Sequence, residues 1–348
     1  PNGGMMAWKQ VIGSVLINMS NWGLINSFGV YQAYYETNLL ATSSPSAISW
    51  IGTVQGTLLL VFGLISGPLF DKGYFRTTTI IAGIGLVLGM MLLSISTRYY
   101  QIMLSQGILV GICSGFLYIP SIALIPLYFK PRRGLAIGLA TAGGSFGGIV
   151  YPIIFRRLLN EIGFGWATRT IAFISLLTLL VAVLLLRPIG ARSSRQLFDA
   201  SALLELPYVS FLIAGFLLFA GVLVPYFLVS TYALVDLQLS DDLSCYVLAI
   251  MNGSQFFFGR IISAFLAGWL GPELILLRAE LFAAVLAFSW IAVDQVGGYI
   301  VWLVAFGFVS GIVFKLPPTV LPYICPSLAF FGTRLGMVYA AARIGFLI

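Results

Sequence analysis

Eleven stretches of this 348-residue chain are apolar enough and long enough to cross a lipid bilayer, which constrains everything else about it. A spanning helix needs about 20 mainly apolar residues. The runs fall at residues 8–32, 47–70, 76–96, 99–127, 134–157, 166–187, 207–232, 243–268, 275–294, 298–323 and 332–348. Several exceed that length, as tilted helices do. With 60% apolar and only 8% charged residues, the chain cannot coat a globular surface with water-compatible groups. Soluble domains carry about 25% charge. A soluble enzyme, a disordered tail and a disulfide-knit secreted module are therefore excluded. The first run is too long, and its start too uncharged, for a cleavable signal peptide.

The basic balance, net +7, is read from where the cations lie. With the N-terminus in the cytoplasm and the runs alternating sides, the cytoplasmic segments hold Lys9, Lys72, Arg76, Lys130, Arg132, Arg133, Arg187, Arg192, Arg195, Arg278 and Arg334. The outer side holds Arg98, Arg156, Arg157 and Arg169, and the acids Asp236, Asp241, Asp242 and Asp294 lean outward. Eleven against four is a positive-inside bias. The charge is thus a topology signal, and nucleic acid is not an expected partner; the lipid bilayer is. The expected location is multi-pass in a membrane, the plasma membrane first.

Connections between runs are short except for one polar, basic stretch, RPIGARSSRQLFDASALLELP, which divides the chain. The expected organisation is an N-terminal six-helix bundle (1–187), a cytoplasmic linker (188–206) and a C-terminal bundle (207–348). The halves repeat. A shift of 197 residues lays Gly56 on Gly253, Thr57 on Ser254 and Leu69 on Leu266. The fourth and tenth runs share Ser-Gly followed by proline, at Ser114-Gly115…Pro120 and Ser310-Gly311…Pro317. Parallel repeats of six helices mark one large class of secondary transporter.

The loop after the second run reads Gly67-Pro-Leu69-Phe-Asp71-Lys72-Gly73-Tyr-Phe-Arg76. It resembles the G-x-L-x-D-[RK]-x-G signature of the major facilitator superfamily. Gly67 permits close helix approach, Asp71 is placed to pair with cations or cap the next helix, and Lys72 and Arg76 hold the loop on the inner face. With Arg132 and Arg133 of the next inner loop, these residues form a candidate conformational latch; a generic positive-inside turn is the plainer alternative. The equivalent loop of the second half has Gly268 where an acid would stand, so the latch is expected to be one-sided.

That next loop, Tyr128-Phe129-Lys130-Pro131-Arg132-Arg133-Gly134, opens a glycine-rich run through Gly138, Gly143, Gly144, Gly147 and Gly148. It is similar to the monocarboxylate-transporter branch of that superfamily in its fungal version. So are Pro1-Asn2-Gly3-Gly4…Ala7-Trp8, Asn21-Trp22-Gly23-Leu24…Tyr31, Asn252-Gly-Ser254…Gly259-Arg260 and Gly332-Thr-Arg334-Leu-Gly336-Met337. The resemblance implies an all-α polytopic membrane protein of the major facilitator fold, with six plus five spanning helices visible and a twelfth missing. Either the sequence is a truncation or the protein lacks part of its second half. The glycines themselves read as a smooth packing face. A phosphate-cradling loop fails, because no strand precedes it and no Gly-Lys-Ser/Thr follows.

Ionisable groups within spans are the strongest functional pointers in such a chain. Arg260, Lys315 and Arg343 fall well inside runs, with no acid at comparable depth. The resemblance implies that Arg260 contacts a substrate carboxylate, which a guanidinium can grip with two hydrogen bonds; an arginine bonded to backbone carbonyls is the alternative. Lys315 either joins the site or snorkels to an interface. Asn26, Asn252, Tyr118 and Phe256 complete the candidate substrate site, and Trp22, Tyr31, Phe257 and Phe258 would suit a bulky, partly apolar anion, the plainer alternative for most of these aromatics being that they face lipid or core. The family's proton-coupling positions are changed: Asn26 stands where animal members carry lysine, and Phe256 where they carry an acid. The expected function is secondary transport of a small organic anion or fungal metabolite by alternating access, with efflux as its direction. The alternatives are proton-coupled monocarboxylate uptake, with a proton as second partner, and a truncated non-transporting membrane protein. No nucleophile–base pair or metal cluster is visible and there is no histidine, so neither an enzyme nor a cofactor is expected.

Overall fold

In the computed structural model, residues 4–129, 132–188, 199–239, 241–262, 271–325 and 331–346 are described. Every apolar run is mainly helical over its described part, and no strand occurs among those residues. The helices are α1 (Met5–Asn26), α2 (Pro45–Asp71), α3 (Phe75–Leu93), α4 (Tyr99–Tyr128), α5 (Arg133–Leu185), α6 (Leu206–Val235), α7 (Asp241–Ser254), α8 (Pro272–Ser289), α9 (Val296–Ile324) and α10 (Phe331–Phe346). Among the described residues, seven helical segments combine the length and hydropathy to cross a bilayer. α1 falls below that mark because Gln10, Ser14, Asn18, Ser20 and Asn21 occupy buried positions, turned toward protein rather than lipid.

Three boundaries bear on the sequence reading. The fifth and sixth runs, expected to be separated at 158–165, span 53 residues of nearly continuous helix whose break falls inside that gap. At 1.5 Å per residue that is about 80 Å, far more than the ~30 Å hydrocarbon core. The chain reverses at Gly163, whose φ of 77° only glycine adopts readily, leaving arms 133–162 and 164–185. The first run breaks at Ser27 and continues as a short helix, Phe28–Tyr34, with a wider turn at Tyr35–Leu39. The third is the linker. Residues 189–198, including Arg192 and Arg195, lie outside the described residues, and Ala200–Leu204 form a 3₁₀ turn.

Small residues set the helix spacing. A Cβ on Gly147 would stand 2.6 Å from the Met19 carbonyl oxygen and 2.8 Å from Gly23 Cα, so α1 and the first arm of α5 touch backbone to backbone. This is the packing role expected of the glycine-rich run. In the second half, Gly311 of α9 makes the same approach to Gly259.

The buried apolar side chains fall into two clusters. One unites α1–α5 with Tyr208 and Phe219 of α6 and with Leu335, Met337, Val338 and Tyr339 of α10. The other holds the remainder of α6 with α7, α8 and α9. α10 therefore packs both on α6, with Tyr339 6.3 Å from Phe219, and on the N-terminal half, where Gly336 lies against Leu64 of α2. Leu177, Ile84, Val285 and Phe288 stand exposed on the outside, forming an apolar surface that lipid covers.

Candidate functional site

The two halves meet through side chains from α1, α4, α5, α6, α7, α9 and α10. A Cβ on Gly148 would lie 2.8 Å from Asn26 Cβ and 3.1 Å from both Cγ and Oδ1 of Asn252, so the two predicted asparagines converge over a glycine. Asn252 donates to the Leu248 carbonyl at 3.0 Å, while its buried Oδ1 accepts no hydrogen bond. Asn26 makes a long 3.4 Å contact with the Gly144 carbonyl. Beside them, the Ser145 hydroxyl bonds the Gln255 amide oxygen across the halves. Gln255 Nε2 donates to the Tyr226 hydroxyl at 2.6 Å, which in turn meets Ser310 at 2.8 Å. A polar chain thus runs from α5 through α7 and α6 to α9. Its members were missed in the sequence, although the repeated Ser-Gly pair already marked Ser310.

An aromatic group adjoins this chain. Trp22 packs edge-on to Tyr118 at 5.5 Å and lies 6.4 Å from Phe314. Tyr118 donates to the Tyr339 hydroxyl at 3.0 Å, a second bridge between the halves. Phe219 and Tyr226 close on Phe314 at 5.4 and 5.8 Å. Phe256 meets Phe146 at 5.9 Å. Tyr31 is elsewhere, buried against Phe155 at 4.1 Å in a separate aromatic cluster of the first half. Phe257 and Phe258 are exposed, although Phe257 packs edge-on to Phe256 at 4.9 Å. Arg260 sits on the wide turn Gln255–Ile262 that prolongs α7, and Lys315 follows Phe314 on α9; their side chains lie outside the described residues. Wide turns of this kind inside helices often occur at functional positions.

The predicted latch residues divide. Lys72, Arg76 and Arg132 are exposed and pair with no acid among the described residues; the side chain of Asp71 lies outside them. Arg133 donates from Nε to the Phe129 carbonyl at 3.0 Å, closing the end of α4. Gly67 is buried within α2.

A stronger ionic cluster stands on the linker side. Arg334, 2% exposed, donates from Nε to Asp199 at 2.9 Å and from both terminal nitrogens to Glu205, each at 2.7 Å. Its guanidinium lies 5.2 Å from the Tyr208 ring centre, and the Tyr208 hydroxyl donates to the Arg334 carbonyl at 2.8 Å. Burial works against ionisation of Asp199, but hydrogen bonds from Ser201 and Arg334 outweigh it and hold the carboxyl below its ordinary value. The hydrogen bond from Arg334 does the same to Glu205. The sequence reading placed Arg334 among the inner cations without a partner. The signal was that Asp199 and Glu205 are the two acids of an otherwise basic linker. Among the described residues, no group of three potential ligands could hold a metal.

The comparisons agree with this architecture. A family model described as Major Facilitator Superfamily matches residues 11–348. The chain is 37% identical over 347 residues to the MFS-type transporter dbaD of Emericella nidulans, covering 99% of this chain and 78% of the relative. It is 34% identical to the aspyridones efflux protein apdF of the same organism, covering 100% and 71%. The agnestins efflux protein AgnL12 of Paecilomyces divaricatus is 36% identical, over 88% and 71%. The crystal structure of the human organic anion transporter MFSD10 (TETRAN) shares the fold with a TM-score of 0.72 at 15% identity, covering 98% of this chain and 90% of that one. An all-helical chain with apolar spans and two core clusters bridged through the middle is thus a multi-pass membrane transporter, not an enzyme, and belongs to the major facilitator superfamily.

Proposed function

We propose that this protein exports a small organic anion, a fungal secondary metabolite with an aromatic or otherwise apolar body, by alternating access. The observation that carries this reading is the set of meetings between the halves: Ser145 bonded to Gln255, Tyr118 bonded to Tyr339, and Asn252 facing Gly148 beside Asn26. Each joins residues that separate when the halves rock apart, and they lie among Trp22, Phe314 and Phe256, which supply apolar contact for a bulky solute. Arg260 and Lys315 supply the positive charge. A carboxylate arriving at Arg260 offsets the cost of keeping a guanidinium away from water. Two relatives carry the efflux of a named metabolite in their own names, which supports the outward direction here. The N-terminus is cytoplasmic in this reading, on the strength of the inner excess of Lys and Arg. It also takes the plasma membrane as the site of export and the stretch 188–206 as the connection between two bundles that move against each other.

The test compares metabolites inside and outside cells that carry or lack the protein, then repeats the comparison with Arg260→Gln. Export that depends on the wild-type chain and disappears in the variant supports the reading. Unchanged flux in Arg260→Gln sinks the role of that arginine. Accumulation of a simple monocarboxylate driven by an inward pH gradient would transfer the assignment to proton-coupled uptake.

A further inference from the structure

Three buried side chains of the N-terminal half, Asn21, Gln55 and Ser114, have no hydrogen-bond partner at any of their polar atoms. Asn21, Gln55 and Ser114 are 0%, 1% and 0% exposed. Both amide atoms of Asn21, both of Gln55 and the Ser114 hydroxyl make no hydrogen bond. Isolated orphans of this kind are rare in folded proteins, because a buried polar atom without a partner costs free energy that nothing returns.

Helix register brings the three together. Ser14 of α1 donates to the Ser121 carbonyl of α4 at 2.8 Å. α1 and α4 run in opposite directions, so two turns farther along α1 and two turns back along α4 bring Asn21 level with Ser114 on the same facing sides. α2 lies alongside, since a Cβ on Gly111 would stand 2.8 Å from the Gln55 carbonyl oxygen and 3.0 Å from Gln55 Cα. Gln55 is therefore within one helical turn of Ser114. All three lie near the middle of their spans. Ser114 also precedes Tyr118 by one turn, and Asn18, whose buried Oδ1 is a further orphan, precedes Trp22 by one turn. The orphans therefore border the aromatic group at the interface of the halves.

The repeat shows what is left unfilled. The shift that lays Gly56 on Gly253 lays Gln55 on Asn252, whose amide nitrogen is bonded to the Leu248 carbonyl although its oxygen is not, and the Ser-Gly pairing lays Ser114 on Ser310. Ser310 is bonded to the Tyr226 hydroxyl at 2.8 Å and to the Gly307 carbonyl at 3.1 Å. Asn21 stands level with Ser114 as Tyr226 stands beside Ser310, but it brings no bond to that hydroxyl.

We infer that Asn21, Gln55 and Ser114 form a neutral polar subsite in the N-terminal half that takes an uncharged oxygen group, either a hydroxyl or carbonyl of the transported molecule or water. Two primary amides and a hydroxyl offer both donors and acceptors and no charge, so they suit a group that also does both. A bound water typically makes two to four such bonds. The carboxylate would remain with Arg260, and the subsite would read the polar decoration at the far side of the apolar body; in its substrate form the inference rests on the anion reading above.

The test uses the full chain in phosphatidylcholine nanodiscs with a matched pair of probes, benzoate and 4-hydroxybenzoate, which differ by one hydroxyl. If the substrate's oxygen fills the subsite, the hydroxylated anion binds about three- to tenfold more tightly, the scale of one net hydrogen bond. Ser114→Ala and Gln55→Leu then erase that preference while leaving benzoate binding unchanged. If water fills it, the two anions bind alike, or not at all, and Ser114→Ala lowers the thermal midpoint of the ligand-free protein by about 2–4 °C. A midpoint that holds or rises in both variants, with no change in preference between the anions, overturns the inference, because orphaned atoms in a dry site are better replaced by carbon. The anion reading fails separately, if Arg260→Gln leaves the binding of both probes untouched.

Discussion

Two groups of charges occupy the linker side of this molecule, and they differ in how they are held. The first is the turn after α2 with the start of α5, where Lys72, Arg76 and Arg132 are exposed. The second gathers residues distant in sequence, Asp199 and Glu205 before α6 and Arg334 at the start of α10, into a cluster with its arginine 2% exposed. The first is conspicuous in the sequence because its charges are consecutive; the second is the more firmly built. An exposed cation keeps its hydration and gives up little when its neighbours move. A buried guanidinium with three charge-assisted bonds resists disruption, because removing one partner strands the others away from water. The difference indicates that the linker is fixed to α10, and through α10 to the N-terminal half, by a specific contact.

The sharpest way to break the comparison is Arg334→Met. It leaves Asp199 buried without its cation, at a cost on the order of 3 kcal/mol. The thermal midpoint of the purified protein should fall by several degrees. A midpoint within error of wild type would mean that the cluster is no firmer than the exposed one. Cleavage by a protease within 189–198 should also accelerate, because the 3₁₀ turn Ala200–Leu204 loses its tether.

Acid offers a second, intermediate probe. Both carboxyls titrate below their ordinary values in the folded protein. Their contribution to stability is therefore complete above the unfolded value, about 4, and is lost as the pH falls through the lower folded value. The wild-type midpoint should receive no change from this cluster between pH 8 and 5 and should decline only in stronger acid. Arg334→Met should behave oppositely over the same interval. With its cation gone, burial favours protonated Asp199, so the variant recovers stability on mild acidification. Parallel curves for the two proteins would show that the pairing does not govern these carboxyls.

The same contrast explains what could be read in advance. The spans were legible because an apolar run of bilayer length has few other uses, and the glycine face of α5 because only small residues let α1 approach so closely. Asn26 and Asn252 are both expected at the substrate site from the resemblance, although the repeat lays Gln55, not Asn26, on Asn252. The break between the fifth and sixth runs was legible as the gap 158–165; that a single glycine at positive φ makes it, with helix on both sides, was not. The bonds of Arg334 to Asp199 and Glu205, and of Ser145 to Gln255, join residues more than a hundred positions apart, which no local pattern encodes. Tyr31 could not be placed in advance, because a tyrosine there looks the same whether it faces the interface or the interior of its own half.

The smallest expected effect belongs to the exposed group. Lys72→Ala and Arg76→Ala should each move the folding free energy by no more than about 0.5 kcal/mol, the ordinary range for surface changes. Arg157 with Glu161 provides a comparison on the same chain, an exposed pair 3.5 Å apart at i,i+4 spacing, whose removal should be equally mild. Stability and transport therefore separate at this turn. If Lys72 and Arg76 act as a latch, they do so by favouring one arrangement of the halves over the other, and their loss changes flux while the thermal midpoint stays in place. If they only hold the loop on the inner face, both readouts remain at wild-type values. A large loss of stability in either variant would erase the distinction between the two charge groups, because it would require a buried partner that exposed side chains like these do not have.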